Sequence, residues 1–312
     1  MSLAARRSKP KHRLEAHHSA WFTHFYSGEP FSARNHCNEG RRLYDIDRHR
    51  SLAFRYGGHD AGVCAHNHGA LSEWLLGYPD KALASINDSV RLATLLAHPL
   101  SLNHTYLYDT VIHLLRREPD VAVMRAHDAE QLAVEQRLAL LINTDVLRGG
   151  ALLAQGRVEE AAASVRAGRA ARDAMGWHLY QPYQLALVSE VLGRAGDADG
   201  AAMALAEAQK VIESGNERWW ESEIHRLIGA QLLSQGKVAA SISCFERAIA
   251  IARSQQAKSL ELRAATSLAR LWGEQGRRTK ARDLLAPVYG WFTEGFSTAD
   301  LKEAKGLLDE LT

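Results

Sequence analysis

A structural unit of about 40 residues recurs along this chain, and each copy centres on a turn. When the last two copies are aligned on Gly236 and Gly276, they are offset by 40 residues, and the same step leads back through the earlier copies. The first interval departs from this step and measures 49 residues. A period of this size is typical of repeat proteins, in which neighbouring units stack and bury one continuous core. The seven turns fall near Gly28, Gly77, Arg117, Gly156, Gly196, Gly236 and Gly276.

The fifth residue after each turn is small in every copy. A small side chain lets two helices approach closely where they cross, so the crossing point recurs once per unit. Four residues further on, the position is mostly apolar, which is the i, i+4 spacing of an amphipathic helix face. Each unit is therefore predicted to be a pair of helices. The small residues are Ala33, Ala82, Ala122, Ala161, Ala201, Ser241 and Ala281.

The sixth copy matches a known repeat pattern at Leu227, Gly229, Gly236, Ser241, Phe245 and Ala248. These positions resemble the tetratricopeptide repeat, although its usual period is ~34 residues and the HEAT and armadillo repeats have periods of ~40–47. We interpret the extra residues as longer helices and connections. We therefore predict an all-α fold, a tetratricopeptide-like α-solenoid forming a right-handed superhelix of about seven helix pairs, with a C-terminal capping helix at 298–311. A non-repeating antiparallel helical bundle is the alternative.

Local signals divide the chain into a tail and one repeat domain. Residues 1–10 are predicted to be a disordered basic tail, and residues 11–312 to be the tetratricopeptide-like domain. Three prolines each lie two residues after a turn, and proline is favoured at the first residue of a helix. The stretch 45–60 breaks the period, which predicts a local irregularity there. The prolines are Pro30, Pro79 and Pro119.

Composition argues against several classes of function. The net charge of +2 is nearly balanced, whereas nucleic-acid binding usually requires a basic excess or stripe. The sequence has no apolar run near the ~18–20 residues that a membrane helix needs. The three cysteines are far apart and form no C-x-x-C motif, which indicates a reducing compartment. We therefore predict a cytoplasmic protein that binds neither nucleic acid nor membrane.

No known catalytic motif occurs in the sequence. It lacks a phosphate loop, a dinucleotide-binding glycine motif, a nucleophile elbow and the zinc-protease H-E-x-x-H motif, so we expect no enzyme and no cofactor. Nine of the fifteen histidines precede residue 70, and His59, Cys64 and His68 are close enough in sequence to form a transition-metal site. A structural zinc site needs four ligands. We therefore favour histidines at exposed or half-buried helix positions, and we predict no bound metal.

In tetratricopeptide solenoids the first helix of each pair lines the concave surface, where partners bind. Two rows of residues along these helices are mixed in charge and polarity, unlike a clamp for an acidic peptide terminus. We expect the paired reversal of Arg226→Glu with Arg263→Glu to weaken partner binding without changing the helical melting curve. The predicted groove residues are Asn67, His104, Asn143, Tyr183, Glu223, Arg226, Arg263 and Thr266.

Several segments resemble one bacterial signalling family. The clearest is the C-terminal stretch AKSLELRAATSLARLWGEQGRRTKARDLLAPVYGWFTEGFSTADLKEAKGLLDEL, and ERWWESEIHRLIGAQLL is a second. They resemble the C-terminal repeat region of proteins in which a class III adenylate or guanylate cyclase domain precedes an ATPase module and tetratricopeptide repeats. The cyclase metal-binding aspartates and the phosphate loop have no counterpart here. The resemblance therefore implies a regulatory or interaction module.

We accordingly predict a non-catalytic scaffold or sensor module that binds a protein or peptide partner. A cyclase, an NTPase or a transcriptional regulator is the candidate partner that the resemblance implies. Two alternatives stay open at this point, a solenoid that senses a small molecule and a truncated remnant of a larger cyclase-like protein.

Overall fold

The computed structural model describes residues 10–56, 58–138, 141–175, 179–215 and 217–312, without the side chains of residues 141–143 and 175. Residues 1–9 of the predicted tail lie outside this part. Within it the chain forms sixteen α-helices, one 3-10 helix at Arg50–Phe54 and no β-strand. The α-helices are α1 (Pro10–Tyr26), α2 (Pro30–Leu43), α3 (Ile46–His49), α4 (Ala61–Leu75), α5 (Pro79–Leu96), α6 (Pro99–Leu115), α7 (Pro119–Glu135), α8 (Leu141–Ala154), α9 (Val158–Met175), α10 (Gln181–Arg194), α11 (Ala198–Ser214), α12 (Glu221–Ser234), α13 (Val238–Ser254), α14 (Lys258–Glu274), α15 (Arg278–Tyr289) and α16 (Ala299–Glu310).

The helices pack in consecutive pairs, from α1 with α2 to α14 with α15, and each pair packs on the next. All seven small residues of the repeat are buried, because each lies where the two helices of its pair cross. In the sixth pair this approach is so close that a Cβ on Gly229 would lie 2.8 Å from Cδ1 of Phe245. The prediction of an all-α, tetratricopeptide-like solenoid is confirmed.

The turns inside the pairs depend on left-handed backbone. The seven predicted turn positions all have positive φ, from 60° at Arg117 to 88° at Gly77. Glycine accepts this conformation without a Cβ clash, which explains why six of the seven residues are glycine. Pro30, Pro79 and Pro119 each begin the second helix of their pair, as the sequence predicts.

The stretch 45–60 is an irregular connection between the first two pairs. It holds the four-residue helix α3 and the 3-10 helix at Arg50–Phe54. Asp60 then caps α4, because its Oδ1 accepts hydrogen bonds from the backbone amides of Gly62 at 2.8 Å and Val63 at 3.0 Å.

The superhelix closes on itself, so that the first two pairs contact the last two. Ser259 Oγ donates a hydrogen bond of 2.5 Å to the Trp74 carbonyl, and the Arg218 amide donates one of 2.6 Å to the Tyr26 carbonyl. At the start of α5, the backbone amides of Asp80 and Lys81 both donate to Oε1 of Glu294, a residue that follows α15, at 3.0 Å. We call this set of contacts the closure. It was not anticipated from the sequence.

The last helix covers the end of the array. Leu301, Ala304 and Leu307 of α16 are buried in a cluster that also contains Leu268 of α14 and Leu285 of α15. Pro287 lies near the end of α15, which stops at Tyr289. Within the described residues, no helix is both long enough and apolar enough to span a membrane.

The left-handed turns predict opposite effects for two glycine-to-alanine changes. Gly236 has a φ of 74°, and an added Cβ would meet no atom within 4 Å. Any loss of stability in Gly236→Ala therefore reports the cost of a left-handed backbone for alanine and no steric clash. We expect this change to lower the free energy of unfolding by about 1–2 kcal/mol. Gly306 lies inside α16 with equally open space, so Gly306→Ala should raise the same quantity by about 0.5–1 kcal/mol. Urea denaturation followed by circular dichroism measures both, and two effects of the same sign would contradict the assigned turn.

Candidate functional site

The closed superhelix forms a cavity of about 690 Å³ that stays partly open to solvent. Its wall is formed by first helices of the later pairs, by the turn between α6 and α7, and by the start of α16. The floor contains Tyr183 and Trp220, whose rings meet edge to face at 5.0 Å. The polar lining residues are Arg117, Glu118, Tyr183, Glu190, Arg194, Glu223, Arg226, Arg263, Thr266, Ser267, Arg270, Asp300 and Glu303.

Five of the eight predicted groove residues line this cavity, namely Tyr183, Glu223, Arg226, Arg263 and Thr266. Asn67 and His104 lie elsewhere, in a cluster near the first helix pair. Asn67 is fully buried, accepts a hydrogen bond of 2.6 Å from Ser89 Oγ, and lies 3.2 Å from His104 Nδ1. The side chain of Asn143 is outside the described residues. Asp300 and Glu303 of α16 also line the cavity, and they were not predicted from the sequence. The capping helix lies outside the repeat, so the repeat alignment cannot relate its residues to the concave rows.

Glu223 and Arg226 form a paired unit on α12. Arg226 Nη2 lies 2.8 Å from Glu223 Oε1, and Arg226 Nε lies 3.0 Å from Oε2, which is a bidentate pair. Burial opposes ionisation of Glu223, but Arg226 and Arg263 outweigh it and lower the pKa of this carboxyl group. The pair is therefore charged but already satisfied.

Arg263 belongs to the closure as well as to the cavity. Its Nη2 donates a hydrogen bond of 2.9 Å to the Leu115 carbonyl, and its Nε donates one of 2.8 Å to Asp300 Oδ2. The guanidinium carbon also lies 4.8 Å from the centre of the Trp74 ring. Reversal of this charge would break contacts between helices far apart in the chain. The expectation that Arg226→Glu with Arg263→Glu leaves melting unchanged is therefore revised.

A second ion-pair group lies at the edge of the cavity. Glu303 receives Arg117 Nη1 at 2.6 Å and Arg270 Nη2 at 2.6 Å. Arg117 and Arg270 are each about half exposed, so these pairs are screened by water and contribute little to stability. An entering ligand can exchange with them at low cost.

Several groups that line the cavity have no hydrogen-bond or ion-pair partner among the described residues. The Glu190 carboxylate and the Arg194 guanidinium, one turn apart on α10, form no ion pair or hydrogen bond there. Thr266 Oγ1 is buried without a hydrogen-bond partner. Glu190 is exposed to the cavity, but the protein that surrounds the cavity partly desolvates its carboxyl group and raises its pKa. These groups are the part of the cavity that is free to receive a polar ligand.

The histidine-rich part of the sequence forms a separate cluster. His59 Nε2 lies 3.3 Å from His18 Nε2, and the His59 ring stacks on His104 with centroids 4.5 Å apart. His68, which the sequence grouped with His59 and Cys64, lies with its Nδ1 3.4 Å from Cys64 Sγ and its Nε2 3.0 Å from the Tyr108 hydroxyl. His18, 41 residues before His59, was missed because no local spacing connects them.

Comparison with known proteins identifies the class of fold. No family model matches this chain. An uncharacterized protein, R02095, from Rhizobium meliloti (strain 1021) is 27% identical over 286 residues, which are 86% of this chain and 26% of that protein. The chain thus spans about a quarter of the length of this relative.

Two solved structures are similar in fold. The apo form of RapI has a TM-score of 0.59 at 13% identity, covering 81% of this chain and 88% of RapI. A Rap protein complexed with competence and sporulation factor has a TM-score of 0.54 at 11% identity, covering 96% of each chain. At this identity the likeness concerns the fold alone. It places the chain among tetratricopeptide-like helical repeat folds.

The contacts of Arg263 predict a structural role that Arg194 does not share. Arg263→Ala removes the hydrogen bonds to Asp300 and to the Leu115 carbonyl, and it leaves buried acceptors unpaired. We expect the free energy of unfolding to fall by about 2–4 kcal/mol. Arg194→Ala is the matched control and should change it by less than about 0.5 kcal/mol. Denaturant unfolding measures the free energy of unfolding of both variants. Equal values for the two variants would show that Arg263 does not stabilise the closure.

Proposed function

We propose that this chain is a non-catalytic binding module that receives a short segment of a partner protein in its central cavity. The observation that carries this proposal is a cavity of about 690 Å³ whose lining includes an unpaired anion, an unpaired cation and an unsatisfied hydroxyl. Glu190 and Arg194 are exposed in the cavity, so a ligand can contact both groups without breaking an existing ion pair.

The unpaired groups define the chemistry of the segment. Glu190 suits an ammonium or guanidinium group, and Arg194, one turn further along α10, suits a carboxylate or a backbone carbonyl. Tyr183 and Trp220 offer an aromatic floor for the apolar part of the same side chain. The best fit is a peptide with a basic residue next to an acidic residue or a chain terminus.

We further propose that the module acts as a regulatory arm of a cyclase- or ATPase-type signalling system. The resemblance of the C-terminal segments to that family supports this context. In the Rhizobium meliloti relative, the region similar to this chain is about a quarter of the protein, which leaves room for other domains there. A cyclase, an NTPase or a transcriptional regulator remains the candidate partner.

A small charged molecule is the second candidate ligand. The cavity volume of about 690 Å³ lies within the ~300–1,000 Å³ typical of small-molecule sites. A zwitterion such as an amino acid presents the same ammonium and carboxylate groups as a peptide. A screen of free amino acids by thermal shift would separate the two candidates, because a peptide site that needs several residues gives no shift with single amino acids.

A random hexapeptide display library tests the peptide proposal. We expect wild-type protein to select peptides enriched in lysine or arginine at one position. Glu190→Gln should weaken binding of a selected peptide by about 10- to 100-fold, because a charge-assisted hydrogen bond is lost. Glu246→Gln, on the outer helix α13, is the matched control and should bind as wild type does. Equal binding by wild type and Glu190→Gln would contradict the proposed site.

The pH dependence gives an independent check. Burial raises the pKa of Glu190, so this carboxylate is neutralised at a higher pH than an exposed glutamate. As the pH is lowered, Glu190 should lose its negative charge while the pH is still above the usual glutamate pKa. The affinity for a basic peptide should fall over the same pH interval. Calorimetric titration across that range measures the loss, and Glu190→Gln should show a flatter profile.

A further inference from the structure

We propose that His18, His59 and Cys64 form a binding site for a transition-metal ion, with Zn²⁺ as the ion that this ligand set suits best. The three residues come from separate segments, since His18 is on α1, His59 precedes α4, and Cys64 is in the first turns of α4. One ligand atom from each residue lies within 4.8 Å of the other two. The site is distinct from the central cavity, whose lining contains none of these residues.

The distances suit a tetrahedral ion. When two imidazole nitrogens bind zinc at ~2.0–2.1 Å with tetrahedral angles, they lie about 3.3–3.4 Å apart. The Nε2 atoms of His18 and His59 are 3.3 Å apart. A thiolate at ~2.3 Å from the same ion lies about 3.6 Å from each nitrogen. Each nitrogen–sulfur separation is no more than 4.8 Å in the metal-free protein, so zinc binding would shorten it by about 1.2 Å at most.

The surrounding groups orient the two imidazoles. Glu15 Oε2 lies 3.1 Å from His18 Nδ1, so the carboxylate would hold a proton on Nδ1 and direct Nε2 towards a bound metal. The ring of His59 stacks on that of His104, with 22° between the planes. Carboxylate–histidine–metal arrangements of this kind fix the tautomer of the ligand and raise its basicity.

Cys64 supplies the ligand that selects the metal. Its side chain is fully buried, and Asp60 fixes the start of α4 on which it lies. A thiolate with two imidazoles favours Zn²⁺, Co²⁺ or copper over Mg²⁺ or Ca²⁺.

The site would stabilise the most irregular junction of the solenoid. Residues 45–60 separate the first two helix pairs, and the three ligands connect α1 to the far end of that stretch. A bound ion would therefore hold the first pair on the second. Three protein ligands leave one coordination position for water or another small ligand. A metal that binds only the folded chain also raises its melting temperature.

Cobalt titration of the untagged, chelator-treated full chain tests the site. We expect one Co²⁺ to bind per chain, with a thiolate-to-cobalt charge-transfer band and visible bands typical of tetrahedral coordination. Addition of Zn²⁺ should abolish these bands and raise the melting temperature. Cys64→Ser should lose the charge-transfer band, and Glu15→Gln should weaken binding by about 10- to 100-fold while the band is kept.

Matched variants separate loss of a ligand from loss of fold. His59 is only partly buried, so His59→Gln should keep the helix content of the metal-free chain and still lose tight Co²⁺ binding. Cys244→Ser and His36→Gln remove a cysteine and a histidine outside the cluster and should bind as wild type does. The proposal is overturned if folded wild type gives no thiolate band, or if His59→Gln binds Co²⁺ with unchanged affinity. Either result would make the three side chains a metal-free hydrogen-bonded cluster.

Discussion

The closure of the superhelix is the constraint on which the candidate site depends. A solenoid stabilised only by contacts between neighbouring units would leave its concave surface open to solvent. Here Ser259 and Arg263 of α14 donate to the backbone carbonyls of Trp74 and Leu115, at the ends of α4 and α6. These hydrogen bonds join segments that are 185 and 148 residues apart in the chain. They convert an open groove into a bounded cavity.

Closure also divides the charged lining into two groups with different roles. Glu223, Arg226 and Arg263 are paired, and a buried pair is costly to break because the remaining charge stays desolvated. Glu190 and Arg194 have no such partner among the described residues. Paired charges therefore maintain the shape of the cavity, while the unpaired charges are the groups that the proposed ligand would contact. Arginine occurs in both groups.

The proposed metal site and the central cavity lie at different places in the solenoid. The cavity is formed mainly by the later helix pairs, whereas His18, His59 and Cys64 lie at the junction of the first two. The repeat provides neither site by itself. The cavity arises where the ends of the array meet, and the cluster arises where the period is broken by residues 45–60.

The sequence determined the helical pairs, because their signals are local. A small residue five positions after each turn, glycine in the turn and proline at the helix start all act within one unit of about 40 residues. The register also placed Tyr183, Glu223, Arg226 and Thr266 on one surface. Only the tertiary structure decided that this surface is partly enclosed, that Arg263 is committed to a carbonyl, and that His18 joins His59 and Cys64. Those outcomes depend on the small rotation from each pair to the next, which no single repeat encodes and which accumulates until distant ends of the chain touch.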